Sequence, residues 1–194
     1  MKIKLNIVWL ALLLCQFSQA QTTEFYGMTP YGGTDNIGLI FKTDSNGENQ
    51  TVVYNFVYTN PGKYPAGGKL CEANGKLYGT TTDGGIYDLG VLYEYDPTTK
   101  AYVKLHDFDG ENSGRAPYSN VILASNGKLY GTTLNGGVND LGTLFEYDIS
   151  TNTLTKKLDF DGANMGMNVY ANVIQAANGK LNGLTNRGGT NGVG

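Results

Sequence analysis

Histidine, cysteine, tryptophan and positive charge are all scarce in this chain. His106 is its one histidine, and Cys15 and Cys71 are its two cysteines. A structural zinc site or a Ser-His-Asp triad therefore has almost no material to draw on. No cofactor is expected on such a residue set. The charged fraction is only 16%, with 14 basic side chains against 17 acidic ones. Nucleic acid is excluded as a partner on that balance, because neutralising phosphates requires a basic surface. Only the N-terminus is apolar over any length, so no membrane span is expected in the mature chain. No segment beyond it carries a sustained 3.6-residue apolar period, which excludes helical repeats.

The N-terminus reads as a secretory signal peptide over residues 1–20. Lys2 and Lys4 give a basic start, a mostly apolar run follows from Leu5 to Leu14, and Ser18-Gln19-Ala20 supplies a small-x-small cleavage site before Gln21. Leu14, where a small residue would be needed, weighs against a lipid-modified Cys15. Removing these residues takes away two lysines and no acid, which moves the net charge from −3 to −5. It also removes Trp9 and Cys15, leaving Cys71 without a disulfide partner. Cys71 reads as a small buried filler rather than a reactive thiol. The localisation this predicts is secreted or cell-surface.

What the chain has in abundance is repetition. Tyr26-Gly27 returns as Tyr78-Gly79, as Tyr130-Gly131 and as Asn182-Gly183, always 52 residues on. Gly32-Gly33 returns as Gly84-Gly85, Gly136-Gly137 and Gly188-Gly189; Phe56 returns as Phe108 and Phe160. The copies run at about 24–70, 71–122 and 123–174, with a partial copy at 175–194, so that 21–194 forms one repeat region. A fixed period near 50 signals an architecture whose units bury their apolar faces only by stacking. Within one copy, Asn120–Ser125 reads as a strand, Asn126-Gly127 as a hairpin turn, Lys128–Thr133 as a second strand and 135–142 as a glycine-rich loop. Thr143–Tyr147 and Thr153–Phe160 are the third and fourth strands, with Leu154, Leu158 and Phe160 on one alternating face. The fold class predicted is all-β, a propeller-like series of four-stranded blades. The region starts at the second strand of a blade and reaches Gly194 inside a glycine-rich loop. It therefore reads as an incomplete propeller, the front of a longer protein, with any C-terminal anchoring segment outside it.

The runs GKLYGTTTDGG (75–85) and GKLYGTTLNGG (127–137), followed by GVLYEYDPTTK and GTLFEYDISTN, resemble the tandem repeat called GloVer. It occurs in exported bacterial proteins described as "choice-of-anchor". The stretch EYDPTTKAYVKL (94–105) is similar to Kelch blades, although the Kelch tryptophan is missing and the glycine pair lies further from the second strand. The resemblance implies a propeller-like fold and an exported, often surface-attached protein, and implies no established activity.

Residues present in every copy build the unit, so a site is expected among those that break the pattern. Asp44, Asp96 and Asp148 recur at a turn and read as structural, and His106, opposite Tyr54 and Leu158 in the other copies, reads as strand packing. Asp107, Asp109 and Asn112 recur as Asp159, Asp161 and Asn164, a weak set of oxygen donors for calcium. The competing reading is a strand end and an Asp-Gly turn. Glu94 and Glu146 share one strand position, where a carboxylate pair would serve glycoside cleavage and a lone one would be a cross-strand contact. Tyrosine is the larger surplus, with 14 in the chain. Tyr31, Tyr87, Tyr118 and Tyr170 lie in or beside loops and are the candidate binding residues, able to stack on sugar rings or touch a protein partner. The expected function is a non-catalytic extracellular binding module for a glycan or protein ligand. The alternative is a secreted carbohydrate-active enzyme using carboxylates at blade interfaces.

Overall fold

A computed structural model describes residues 23–58, 62–67 and 69–194. The signal peptide expected over 1–20 lies outside them. All the regular elements among the described residues are strands. The first sheet holds β1 (Phe25–Thr29), β2 (Leu39–Thr43) and β3 (Thr51–Asn55). The second holds β4 (Lys63–Pro65), β5 (Cys71–Ala73), β6 (Lys76–Asp83), β7 (Val91–Asp96) and β8 (Ala101–Asp107). The third holds β9 (Ile122–Leu123), β10 (Leu129–Thr132), β11 (Thr143–Asp148) and β12 (Thr153–Asp159), and the fourth β13 (Ile174–Gln175) and β14 (Leu181–Asn182). Every pairing between these strands is antiparallel, and neighbours in sequence are neighbours in each sheet, except that β4 and β5 both pair with β6 and not with each other. These are propeller-like blades in series.

The 52-residue period survives at the level of single hydrogen-bonded pairs. A β-bulge interrupts the outer hairpin at Ile40/Phe41, at Leu92/Tyr93 and at Leu144/Phe145, one repeat apart each time. The bulge adds an unpaired residue and twists the outer strand. It also breaks the simple alternation expected along 153–160. Leu154 packs with the cluster between the second and third sheets, whereas Leu158, opposite Leu144 beyond the bulge, lines with Phe160 the depression toward the fourth sheet.

The second and third sheets are apolar on both faces, because each stacks between two others. On β7, Val91, Tyr93 and Tyr95 join Met28, Ile40 and Phe56 of the first sheet. Leu92, on the opposite face, joins Phe108, Leu129, Phe145 and Tyr147 against the third sheet. A smaller cluster of Ala124, Tyr130 and Val173 links the third sheet to the fourth. The innermost strands also touch across sheets: the Asn120 amide N–H donates to the Asn172 side chain at 2.8 Å, one repeat away.

Cys71, expected to be a buried filler, is half-buried at the start of β5, and burial pushes its thiol pKa up.

Candidate functional site

Antiparallel order sorts the connections onto two ends. The short hairpin turns β5–β6, β7–β8, β9–β10 and β11–β12 lie at one end. The glycine-pair loops (30–38, 84–90, 133–142) and the described parts of the crossovers between sheets (56–58 and 62, 108–121, 160–173) lie at the other. Tyr31, Tyr87, Tyr118 and Tyr170, together with Tyr64 beside the first crossover, all belong to that second end.

This face is rigid for local reasons. The Gly84 and Gly136 amides donate to Asp88 and Asp140 at 2.9 and 2.8 Å. Lys63 pairs with Asp88 at 2.7 Å and Arg115 with Asp140 at 2.8 Å, tying each crossover to a glycine loop. Gly84 has φ +87°, and a Cβ there would stand 2.5 Å from the Cα of Gly62. Loop and crossover thus touch backbone to backbone, which only glycine allows.

Two tyrosine pairs stand on this support. Tyr31 packs on Tyr64 with ring centroids 5.6 Å apart, and Tyr118 meets Tyr170 edge to face at 5.5 Å. Tyr31, Tyr64 and Tyr118 line one cleft of about 640 Å³, whose floor and rim include Ala66, Thr82 and Asp83. The cleft exists because of one small side chain. Ala66 occupies the repeat position of Tyr118 and Tyr170, so the ring present in the next two copies is absent and the space is open. Tyr64 adopts φ +57°, as its counterparts Ala116 and Asn168 adopt +50° and +55°. That left-handed backbone belongs to the unit, but a bulky ring is an unusual occupant of it. Thr82 Oγ1 donates to the Asp83 carboxylate at 2.6 Å.

Of the four binding candidates, Tyr31 and Tyr118 line this cleft and Tyr170 buttresses it. Tyr87 lies apart, in a second depression of about 490 Å³ with Ile86, Lys104 and His106. Tyr64, a loop tyrosine like the others, was not among the four candidates, and Ala66 and Asp83 were missed as site residues. Setting the copies side by side would have found them, since each differs from both of its later counterparts: Ala116 and Asn168, Tyr118 and Tyr170, Asn135 and Arg187.

The other candidates make local contacts. Asp107 accepts from the Ile86 amide at 2.9 Å and pairs with Lys104; Asp159 does the same with Val138 and Lys156; Asn55 takes this place in the first copy with Thr34. Asp109 accepts from the Asn112 and Ser113 amides and the Asn112 side chain, and Asp161 likewise from Asn164 and Met165. Among the described residues no three His, Cys, Asp or Glu side chains are grouped as a metal would require. His106 packs edge to face on Phe108 at 5.4 Å, its Nε2 buried without a hydrogen-bond partner.

Glu94 accepts from Tyr78 at 2.8 Å and Lys76 at 2.5 Å, while Glu146 accepts from Tyr130 and from Lys128 at 2.9 Å. In the first copy the pair is reversed. Lys42 replaces the glutamate, Glu24 replaces the lysine at 2.6 Å, and Tyr26 still donates to the carboxylate. The bonds from Tyr130 and Lys128 hold the Glu146 carboxyl below its ordinary range. A general acid needs the opposite shift.

Residues 15–194 match the family described as the Gloeobacter/Verrucomicrobia repeat, and the chain belongs to that family. No curated protein is similar enough to the sequence to be matched with it. Among solved structures, TolB from Acinetobacter baumannii is similar at a TM-score of 0.46 and 17% identity, over 73% of this chain and 31% of that one. A puromycin-hydrolyzing peptidase of Mycobacterium tuberculosis is similar at a TM-score of 0.43 and 14% identity, over 81% of this chain and 23% of that one. The chain thus spans less than a third of the length of either protein.

Proposed function

We propose that this member of the repeat family is an exported, non-catalytic binding module. Its recognition face is the end that carries the glycine loops and crossovers. The observation that carries this reading is the cleft formed where Ala66 replaces the tyrosine of later copies, walled by Tyr31, Tyr64 and Tyr118. Exposed rings on a stacked β scaffold suit recognition, because the scaffold holds them without further ordering on binding. Glycoside cleavage is supported less well, because Glu94 and Glu146 are each held by a lysine and a tyrosine in a pairing that the first copy builds with its charges exchanged.

The full chain, produced with its own leader, should leave the cell with Gln21 as its first residue. It should then be retained on intact cells or their extracellular matrix. The double variant Tyr31→Ala, Tyr118→Ala should melt as the parent does and lose retention. Equal retention of parent and variant, or none for the parent, refutes the binding role; an intact N-terminus refutes export.

A further inference from the structure

We propose that the Tyr31–Tyr64–Tyr118 cleft is a subsite for a neutral pyranose residue of an uncharged glycan. This rests on the recognition role given above and names its ligand class.

The chemistry of the walls selects the ligand. A sugar ring offers an apolar C–H face and a rim of hydroxyls. The cleft offers the faces and edges of three tyrosines, together with Pro30 and Pro65, against the first. Against the second it offers the Asp83 carboxylate, the Thr82 hydroxyl and the backbone at Gly67. Thr82 holds Oδ2 of Asp83, which orients the carboxylate and leaves Oδ1 to accept from a ligand hydroxyl. No lysine, arginine or histidine lines the cleft. An anionic glycan, a phosphate or a nucleotide would therefore meet the Asp83 carboxylate in the wall, while Lys63, the cation that acts on Asp83 from the paired strand, is already held by Asp88.

The rings are also placed before any ligand arrives. Tyr31 is 66% exposed and Tyr118 47% exposed, yet each rests on a second tyrosine that limits its rotation. Stacking a ligand on them costs little side-chain entropy. The volume suits a small ligand or a short stretch of polymer rather than a flat protein surface. The acid is specific to this copy as well: the position of Asp83 is Tyr31 in the first unit, Asn135 in the third and Arg187 in the fourth.

The test is binding of the full chain to an array of neutral, anionic and amino-modified glycans, followed by calorimetric titration with the neutral oligosaccharide bound best. Tyr118→Ala and Tyr31→Ala should each weaken that binding about tenfold or more, as truncating an aromatic anchor does. Tyr118→Phe, which keeps the ring, should retain most of it, and Asp83→Asn should weaken it without admitting anionic glycans. All three side chains are at the surface or on its rim, so unchanged melting separates lost binding from lost folding. Absence of any neutral glycan among the ligands overturns the inference, as does preference for anionic glycans or for tetramethylammonium, which would mark a cation cage. If cell retention still depends on Tyr31 and Tyr118 but excess neutral oligosaccharide does not compete, the recognition role stands and the glycan assignment falls. If retention itself is absent, the role falls first.

Discussion

The same substitution at two copies of one repeat position should have opposite effects. Gly131 lies in β10, and a Cβ built on it would stand 2.5 Å from Cζ of Phe145 and 3.0 Å from Cγ1 of Val121. Carbon atoms rest at about 3.5–4.0 Å, so the ring would have to retreat by roughly 1 Å. Phe145 is 0% exposed and packs against Phe108 with centroids 5.2 Å apart, so it has nowhere to go. Overpacking of this kind costs about 1–3 kcal/mol, and alanine recovers about 0.5–1 kcal/mol of strand propensity over glycine. Gly131→Ala should therefore lose about 1 kcal/mol net, a fall in Tm of roughly 2–4 °C for a chain of this size. Gly183 is the same position one repeat later, but a Cβ there would meet only Cγ1 of Val173, at 3.3 Å. Gly183→Ala should leave stability unchanged or raise it by up to about 1 kcal/mol. Both are read by thermal and urea unfolding of the full chain. Adding Phe145→Leu to Gly131→Ala should show a coupling of about 1 kcal/mol or more in a double-mutant cycle. Equal destabilisation by the two alanines, or a neutral Gly131→Ala, would refute the idea that glycine is there to admit the neighbouring ring.

His106 supplies a pH test. Burial lowers its pKa below the ordinary 6.5, against the opposing pull of Asp109 and Asp107. The unfolded chain therefore takes up the proton first as pH falls, so stability is full above about pH 6.5 and declines below it until the folded form also protonates. His106→Leu, which copies Leu158, should flatten that part of the stability profile in urea titrations between pH 7.5 and 5; an unchanged slope would mean the histidine is not held neutral. Exchange of the first copy's charge pair is a second test. Glu24→Lys and Lys42→Glu should each lower Tm at low salt, and the double variant should recover, because it builds the arrangement found at Lys76–Glu94. A double variant no better than the singles would show that the pair does not interact. Lastly, Ala66→Tyr restores the ring found at Tyr118 and Tyr170 and should abolish ligand retention with little change in melting. Retention by that variant would show that the cleft is not the site.

Much of the fold was legible because its signals are local. Asn126-Gly127 and Asn74-Gly75 mark hairpins by their own backbone preferences, and the strands between them follow from alternation. Asp44, Asp96 and Asp148 cap their turns through bonds to amides two to four residues on. The bulge after Ile40, Leu92 and Leu144 left no such mark. It arises where an outer strand must twist while its neighbour stays packed, and no turn residue announces it. The reversal of Glu24–Lys42 against Lys76–Glu94 could have been found by aligning the copies, but only the pairing of β1 with β2 shows that the two side chains meet.

The site divides in the same way. Tyr31, Tyr87, Tyr118 and Tyr170 stood out as loop aromatics, and their placement at one end follows from strand order alone. Which of them share a cleft depends on how closely one sheet stacks on the next. Rings such as Tyr93 and Phe145, lying over glycines in the adjacent strand, pack in those interfaces. By itself the amino-acid order determined the period, the strands, the turns and the aromatic loops, because each is a property of a few neighbouring residues. The meeting of Tyr31 and Tyr64 with Tyr118, residues up to 87 positions apart, was decided by the stacking of whole sheets, because contact between separate copies arises only when their buried faces close on one another.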